Sequence, residues 1–190
     1  PMAWLGDAIA IKDPTVAAFR RQGGTNLLIV GQREDLATSI LSMATVSLAA
    51  GSDPYPGGAI GKASRFVLFE PAIAEEHPDT MLSRLTEFLP HEIELVSRLG
   101  VVDAFRDLAA EVQRRLDEQI LDAESVFVVI RDLARFREIR RNENDFGFSM
   151  SGEQEATPAQ QLVTILKDGP TVGIHAVIWC DSLTNLQRTF

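Results

Sequence analysis

The sequence predicts an α/β domain built around a mainly parallel sheet, and three observations carry that expectation. Apolar runs at 27–30, 66–69 and 126–130 lack the alternation of a sheet with one wet face. Such runs read as strands covered on both faces. Helical spacing of apolar residues at 34–50 and 101–119 falls between these runs. Gly-bearing turns separate the segments, and strands alternating with helices give three layers.

Composition bounds the function classes. The 190 residues are 45% hydrophobic, enough for one sizeable core. A formal charge of −9 argues against a bare nucleic-acid-binding module, whose footprint is basic. A single cysteine, Cys180, excludes an intramolecular disulfide framework and a Cys-rich zinc site. No apolar stretch reaches the roughly 18 residues a membrane span needs. No basic region followed by an apolar core opens the chain. Cytoplasmic residence is the expectation.

Taken in order, residues 1–24 form an extension expected to pack on the domain that occupies 25–190. Asp7, Ile9, Ile11 and Asp13 suggest a short extended piece. A short helix over 15–22 would stop at Gly23-Gly24. The first strand spans 26–30 and the first helix 34–50. Residues 51–64 are a loop by composition. Within it Gly61-Lys62 imitates a phosphate-binding loop, but Pro56 and Ala63 break the motif and a strand follows instead of a helix. Further strands are expected at 65–69, 92–97, 126–130 and 174–179, with helices at 79–89, 101–119 and 132–141. Residues 141–158 form a long polar loop. A helix at 159–167 opens on Thr157 as N-cap with Pro158 at its first position, and Gly169-Pro170 stops it.

One stretch carries chemistry. In 26–39, Asn-Leu-Leu-Ile-Val-Gly-Gln-Arg-Glu-Asp-Leu-Ala-Thr-Ser, an apolar strand, a Gly turn and a helix follow one another. That is the layout of a loop that cradles phosphate at a helix N-terminus. Laid onto G-x-x-x-x-G-K-S/T, the stretch keeps Gly31 and Thr38 but has Leu36 and Ala37 where Gly and Lys belong. Gly31, Gln32, Arg33, Glu34, Asp35, Thr38 and Ser39 are therefore the candidate nucleotide-contacting residues of a degenerate loop. Glu34 and Asp35 suit a helix N-terminus and repel a triphosphate placed there, so the loop is read as filling its own anion site with carboxylate.

The order of segments resembles the motor domain of FtsK/SpoIIIE (FtsK-HerA) ATPases. The matching pieces are 26–39, Arg-Phe-Val-Leu-Phe-Glu at 65–70 and the Leu-Pro-His strand with its following helix over 88–116. Val-Phe-Val-Val-Ile-Arg-Asp at 126–132 and Gly-Ile-His before the apolar strand at 173–180 complete the set. The resemblance implies a RecA-like P-loop three-layer fold, incomplete at its C-terminal side. It also implies ATP with Mg²⁺ as cofactor and DNA as a translocated partner. The departures speak against activity. Ala37 removes the cation that holds the β/γ phosphates, Arg131 and Asp132 stand at the Walker B Asp-Glu positions, and Cys180 with Asp181 replaces the sensor Thr-Gln. Degenerate modules of this family occur, for example, in type VII secretion motors.

The expected function is a non-hydrolysing module without a cofactor. It would be a structural or regulatory part of a DNA-translocase or secretion-type motor, packing on an active motor domain or sibling subunit in a homo- or hetero-oligomer. The alternatives are an active ATP-dependent DNA translocase of the cell-division type and a protein-interaction domain with an empty P-loop fold. Arg131 and Asp132 have two readings. Either each pairs with neighbours, or Arg131 turns into the old site and meets Glu34 or Asp35. Glu70 reads as a plain strand-end acid. His91 and His175 read as core histidines. Arg135, Arg137, Arg140 and Arg141 read as a solvated basic face.

Overall fold

The computed structural model describes residues 1–7, 9, 11–71, 80–140 and 156–189. The apolar runs form a five-stranded parallel sheet of β3 (Leu27–Val30), β4 (Ser64–Phe69), β5 (Ile93–Val96), β6 (Ser125–Ile130) and β7 (Ile174–Cys180), in the order β3-β7-β6-β4-β5. Between them lie α1 (Glu34–Ala50), α2 (Met81–Phe88), α3 (Val101–Asp117) and α4 (Pro158–Asp168), and α5 (Leu183–Leu186) follows β7. The α/β three-layer fold expected from the sequence is the fold found.

Strand order dictates which face each helix covers. Parallel crossovers are right-handed. The connections β3 to β4 and β4 to β5 run toward one edge of the sheet, and those from β5 to β6 and β6 to β7 run back. The two sets therefore cover opposite faces. One apolar cluster packs Leu41, Ala44 and Leu48 of α1 and Leu82 of α2 on Phe66, Phe127 and Val177. The other packs Phe105, Leu108 and Val112 of α3 and Leu162 and Ile165 of α4 on Phe69, Val128 and Ile178. β6 is buried along its whole length, as its unbroken apolar run requires.

Two expected elements are corrected. The helix expected over 15–22 is a strand, β2 (Thr15–Ala18), antiparallel to β1 (Met2–Gly6). Thr15 and Val16 are β-branched and favour extended backbone, and the hairpin docks by the Trp4 N–H on Ser47 Oγ of α1 at 2.9 Å. The extended piece expected across Asp7 to Asp13 lies in the connection between those strands. The helix expected over 132–141 is two 3₁₀ turns, Leu133–Arg135 and Arg137–Ile139. Leu133, Phe136 and Ile139 are all buried. Their spacing of three is the 3₁₀ repeat and misses the 3.6-residue repeat of an α-helix. Most of the loop at 141–158 and the first residue of the helix expected at 79–89 lie outside the described residues.

Other local signals hold. Thr157 caps α4 by accepting from the Gln160 N–H, and Gln160 reaches back to the Thr157 N–H. Gly61-Lys62 is no phosphate loop: Asp53 accepts the Gly61 N–H at 2.6 Å, and Lys62 pairs with Asp122. No helix among the described residues is long and apolar enough to cross a membrane.

At the end of α3 the buried Arg115 guanidinium is held by Glu111 at 2.6 Å and by the carbonyls of Glu124 and Val172. The hydrogen bond from Arg114, and then that from Arg115, holds the Glu111 carboxyl down at about 2 against the opposing effect of burial. A depressed folded pKa contributes stability above the ordinary carboxylate range, lost as pH falls toward the folded value. Glu111→Gln is expected to cost about 2 kcal/mol at neutral pH. Chemical denaturation at a series of pH values should show that this difference shrinks between about pH 4.5 and 2.

Candidate functional site

In an open α/β sheet, ligands bind outside the carboxyl ends of the strands, where neighbouring strands send their connections to opposite faces. Here that point lies between β4, which leads to α2, and β6, which leads to α4. The residues just past these strands are Glu70 and Arg131.

They meet directly. Arg131 Nε donates to Glu70 Oε2 at 2.5 Å, and its Nη1 donates to Glu34 Oε1 at 2.6 Å. Glu70 is 1% exposed. Its other oxygen accepts from the hydroxyl of Thr80, the N-cap of α2, at 2.8 Å. Burial works against the Arg131 cation, but the hydrogen bonds to Glu70 and Glu34 outweigh it and raise its pKa. The two arms of the bridge are unequal, because the Glu34 side chain is 53% exposed. Exposed pairs contribute at most about 1 kcal/mol, whereas breaking a buried pair costs about 3–5 kcal/mol.

Of the two sequence readings of Arg131 and Asp132, both pairings are present. Arg131 crosses to Glu34, and Asp132 pairs with Arg135 at 2.8 Å. Asp132 sits at φ +57°, a left-handed conformation that Asp tolerates better than most residues. Burial pushes its carboxyl up, Arg135 pulls it back, and Asp181 pushes it further. Asp181 itself is held by both oxygens on the Asn185 amide. Cys180 is buried and its thiol is pushed up by burial, so it is a core sulfur. No group of three or more metal-ligating side chains is found among the described residues.

The Gly31 turn is tighter than motif counting implied. The loop is only Gly31, Gln32 and Arg33, because α1 begins at Glu34. Glu34 and Asp35 thus belong to the first helical turn, which corrects their assignment to the loop. Leu36, Ala37, Thr38 and Ser39 are helical as well. Ala37 is 4% exposed and packs in the core beneath the helix. Gly31 is stitched to β7 on both sides: its N–H donates to the Cys180 carbonyl at 3.1 Å, and its carbonyl accepts from Trp179 Nε1 at 2.8 Å. Arg33 grips Asp35 with two donors, at 2.9 and 2.6 Å. That grip, assisted by the N–H of Leu36, holds the Asp35 carboxyl at about 2 against the opposing effect of desolvation. Ser39 donates to the Asp35 carbonyl, and Thr38 is half-buried on the helix.

Sequence reasoning missed the weight of Glu70, read as a plain strand-end acid, and the role of Trp179. The available signal was an acid directly after one wholly apolar strand and a base directly after another. Within the basic cluster Arg137 is exposed. Arg135 is spent on Asp132, Arg140 donates to the Ala134 carbonyl, and Arg141 lies outside the described residues.

No protein-family model matches the chain, and no curated protein matches it. Among solved structures it is similar to the cytoplasmic domain of the Thermomonospora curvata type VII secretion ATPase EccC, with a TM-score of 0.56 and 15% identity. The likeness covers 91% of this chain and 19% of the EccC chain. It is a likeness of fold.

The unequal arms give a test by urea unfolding. Arg131→Met strands a buried carboxylate and is expected to cost about 3–5 kcal/mol. Glu34→Ala should cost no more than about 1 kcal/mol. The double variant Arg131→Met/Glu70→Leu should recover most of the loss, since removing both charges removes the desolvation cost.

Proposed function

We infer that this chain is a RecA-like module that does not hydrolyse nucleotide and serves as a structural or regulatory part of a larger motor. The observation that carries the reading is Arg131 bridging Glu34 and Glu70 at the sheet's switch point. Nucleotide with Mg²⁺ needs carboxylate toward the metal, free backbone N–H groups and a Lys toward the phosphates. The residues at this edge offer the reverse. A guanidinium stands beside the strand end where the metal's carboxylate is needed, and two acids occupy the helix N-terminus. The Gly31 N–H is committed to β7. Residue 37 faces the core. These side chains do not fit a metal–triphosphate.

The fold shared with a secretion ATPase domain supports the motor setting, as does the resemblance of segment order to FtsK/SpoIIIE motors. A partner in this reading is an active motor domain or a sibling copy. Involvement of DNA rests on the sequence resemblance alone.

Titration calorimetry with ATP and Mg²⁺ tests the reading. No saturable binding is expected at about 1 mM nucleotide. Saturable binding with turnover, lost on altering Gly31 or Asp132, would overturn it in favour of the active translocase. Restoring the motif's lysine should not rescue binding. Ala37→Lys is expected to lower stability by about 2 kcal/mol or more, because it forces a long charged side chain into a packed site. Thermal denaturation of the variant checks that loss, and calorimetry should still give no nucleotide heat.

A further inference from the structure

The amino ends of the strands, opposite the carboxyl ends where the Gly31 turn lies, hold a cavity of about 320 Å³. Arg20, Arg21, Lys62, Ser125 and His175 line it, with Phe19 as an apolar surface. The described residues lining it include no carboxylate. The chain as a whole has 27 acidic and 18 basic residues, so this lining runs against the global balance.

The cations differ in how far they are neutralised. Lys62 already pairs with Asp122. Arg21 is fixed by neutral groups: it donates to the carbonyls of Leu121 at 2.5 Å, of Val172 at 3.5 Å, and of Ala123. Burial and the like charge of Arg115 both work against the Arg21 cation, with Asp122 opposing them from a distance. An anion placed beside Arg21 relieves both effects. Its position is built into the backbone. Gly173 sits at φ +83°, and a Cβ there would lie 2.8 Å from the Arg21 guanidinium carbon. Arg20 stands on a turn pinned by the Thr25 hydroxyl, which donates to the Arg20 carbonyl at 2.6 Å. His175 Nδ1 lies 3.0 Å from the Thr25 carbonyl. A carbonyl only accepts, so Nδ1 carries the proton and Nε2 is left to accept from an O–H group.

We propose that this cavity binds a small phosphomonoester, with Arg20 and Arg21 on the phosphate and Ser125 and His175 on hydroxyls of its carbon skeleton. Two guanidiniums lining one cavity match a dianion better than a single carboxylate. The volume is at the low end for small-molecule sites, which suits a compact skeleton. Nothing in this assignment depends on whether the Gly31 edge takes nucleotide.

The test is an amide-resolved NMR titration of the chain with inorganic phosphate, with glycerol 3-phosphate, and with glycerate as the phosphate-free arm. Saturable shifts are expected at Arg21, Ser125 and His175, and not at Gly31 or Glu34. Glycerol 3-phosphate should bind more tightly than inorganic phosphate. Arg20→Glu, an exposed position, should weaken binding by about tenfold or more while leaving the thermal midpoint nearly unchanged. Three results would overturn the proposal: no saturable shift at about 20 mM of either phosphate probe, equal binding by the Arg20→Glu variant, or glycerate binding as well as glycerol 3-phosphate. Shifts confined to Gly31 and Glu34 would also overturn it, and would count separately against the reading of that edge.

Discussion

A guanidinium and a carboxylate, 2.5 Å apart and both withdrawn from water, sit between β6 and β4 where the sheet's connections change face. Neither ion is stable there alone, because burying an isolated charge costs far more than a hydrogen bond returns. Each therefore fixes the other. Through them four elements are tied together: β4 and β6 by the pair itself, α2 by Thr80 on Glu70, and α1 by Glu34 on Arg131. Two apolar side chains of similar volume would hold the same strands with no desolvation cost. Stability alone does not explain a charged pair at this position. On the reading proposed above, the charged pair occupies the crevice that the topology opens.

The local backbone is compact beside this pair. Glu34 lies in the first turn of α1 and reaches Arg131, and only three residues separate β3 from the helix. A loop that short has no slack to wrap a phosphate. It turns residue 37 toward the core, where Ala packs at low cost and Lys does not. Trp179 closes the arrangement from β7 by taking the Gly31 carbonyl. In the proposed reading, the absent lysine and the short loop go together: residue 37 already lies within the helix, with its side chain in the core.

The sheet was legible because a strand buried on both faces must be apolar throughout, and 66–69 and 126–130 could hardly be anything else. The helix at 34–50 was legible for the complementary reason, since Leu36, Ile40, Leu41, Met43, Ala44 and Leu48 recur at helical spacing. What failed was decided by partners far along the chain. Thr15 to Ala18 is a strand because Met2 to Gly6 lies beside it. Leu133, Phe136 and Ile139 repeat every three residues, a period compatible at a glance with a helix. The candidate site was legible as a set of positions and not as a geometry. Motif spacing counts residues from Gly31, and the fold had already spent three of them on the helix.

The two ends of the sheet end up electrostatically unlike. At the carboxyl ends the charges answer one another: Arg131 with Glu34 and Glu70, Arg135 with Asp132, Arg33 with Asp35. A site whose ions are mutually satisfied offers little to an incoming ion, because each new contact must displace an existing one of similar strength. At the amino ends Arg21 donates to carbonyls and lies near the like charge of Arg115, with Asp122 as the acid that acts on it from a distance. In a chain of formal charge −9, long-range attraction of anions is weak overall. In the proposal, recognition at that end rests on short-range contacts within the cavity and not on long-range attraction.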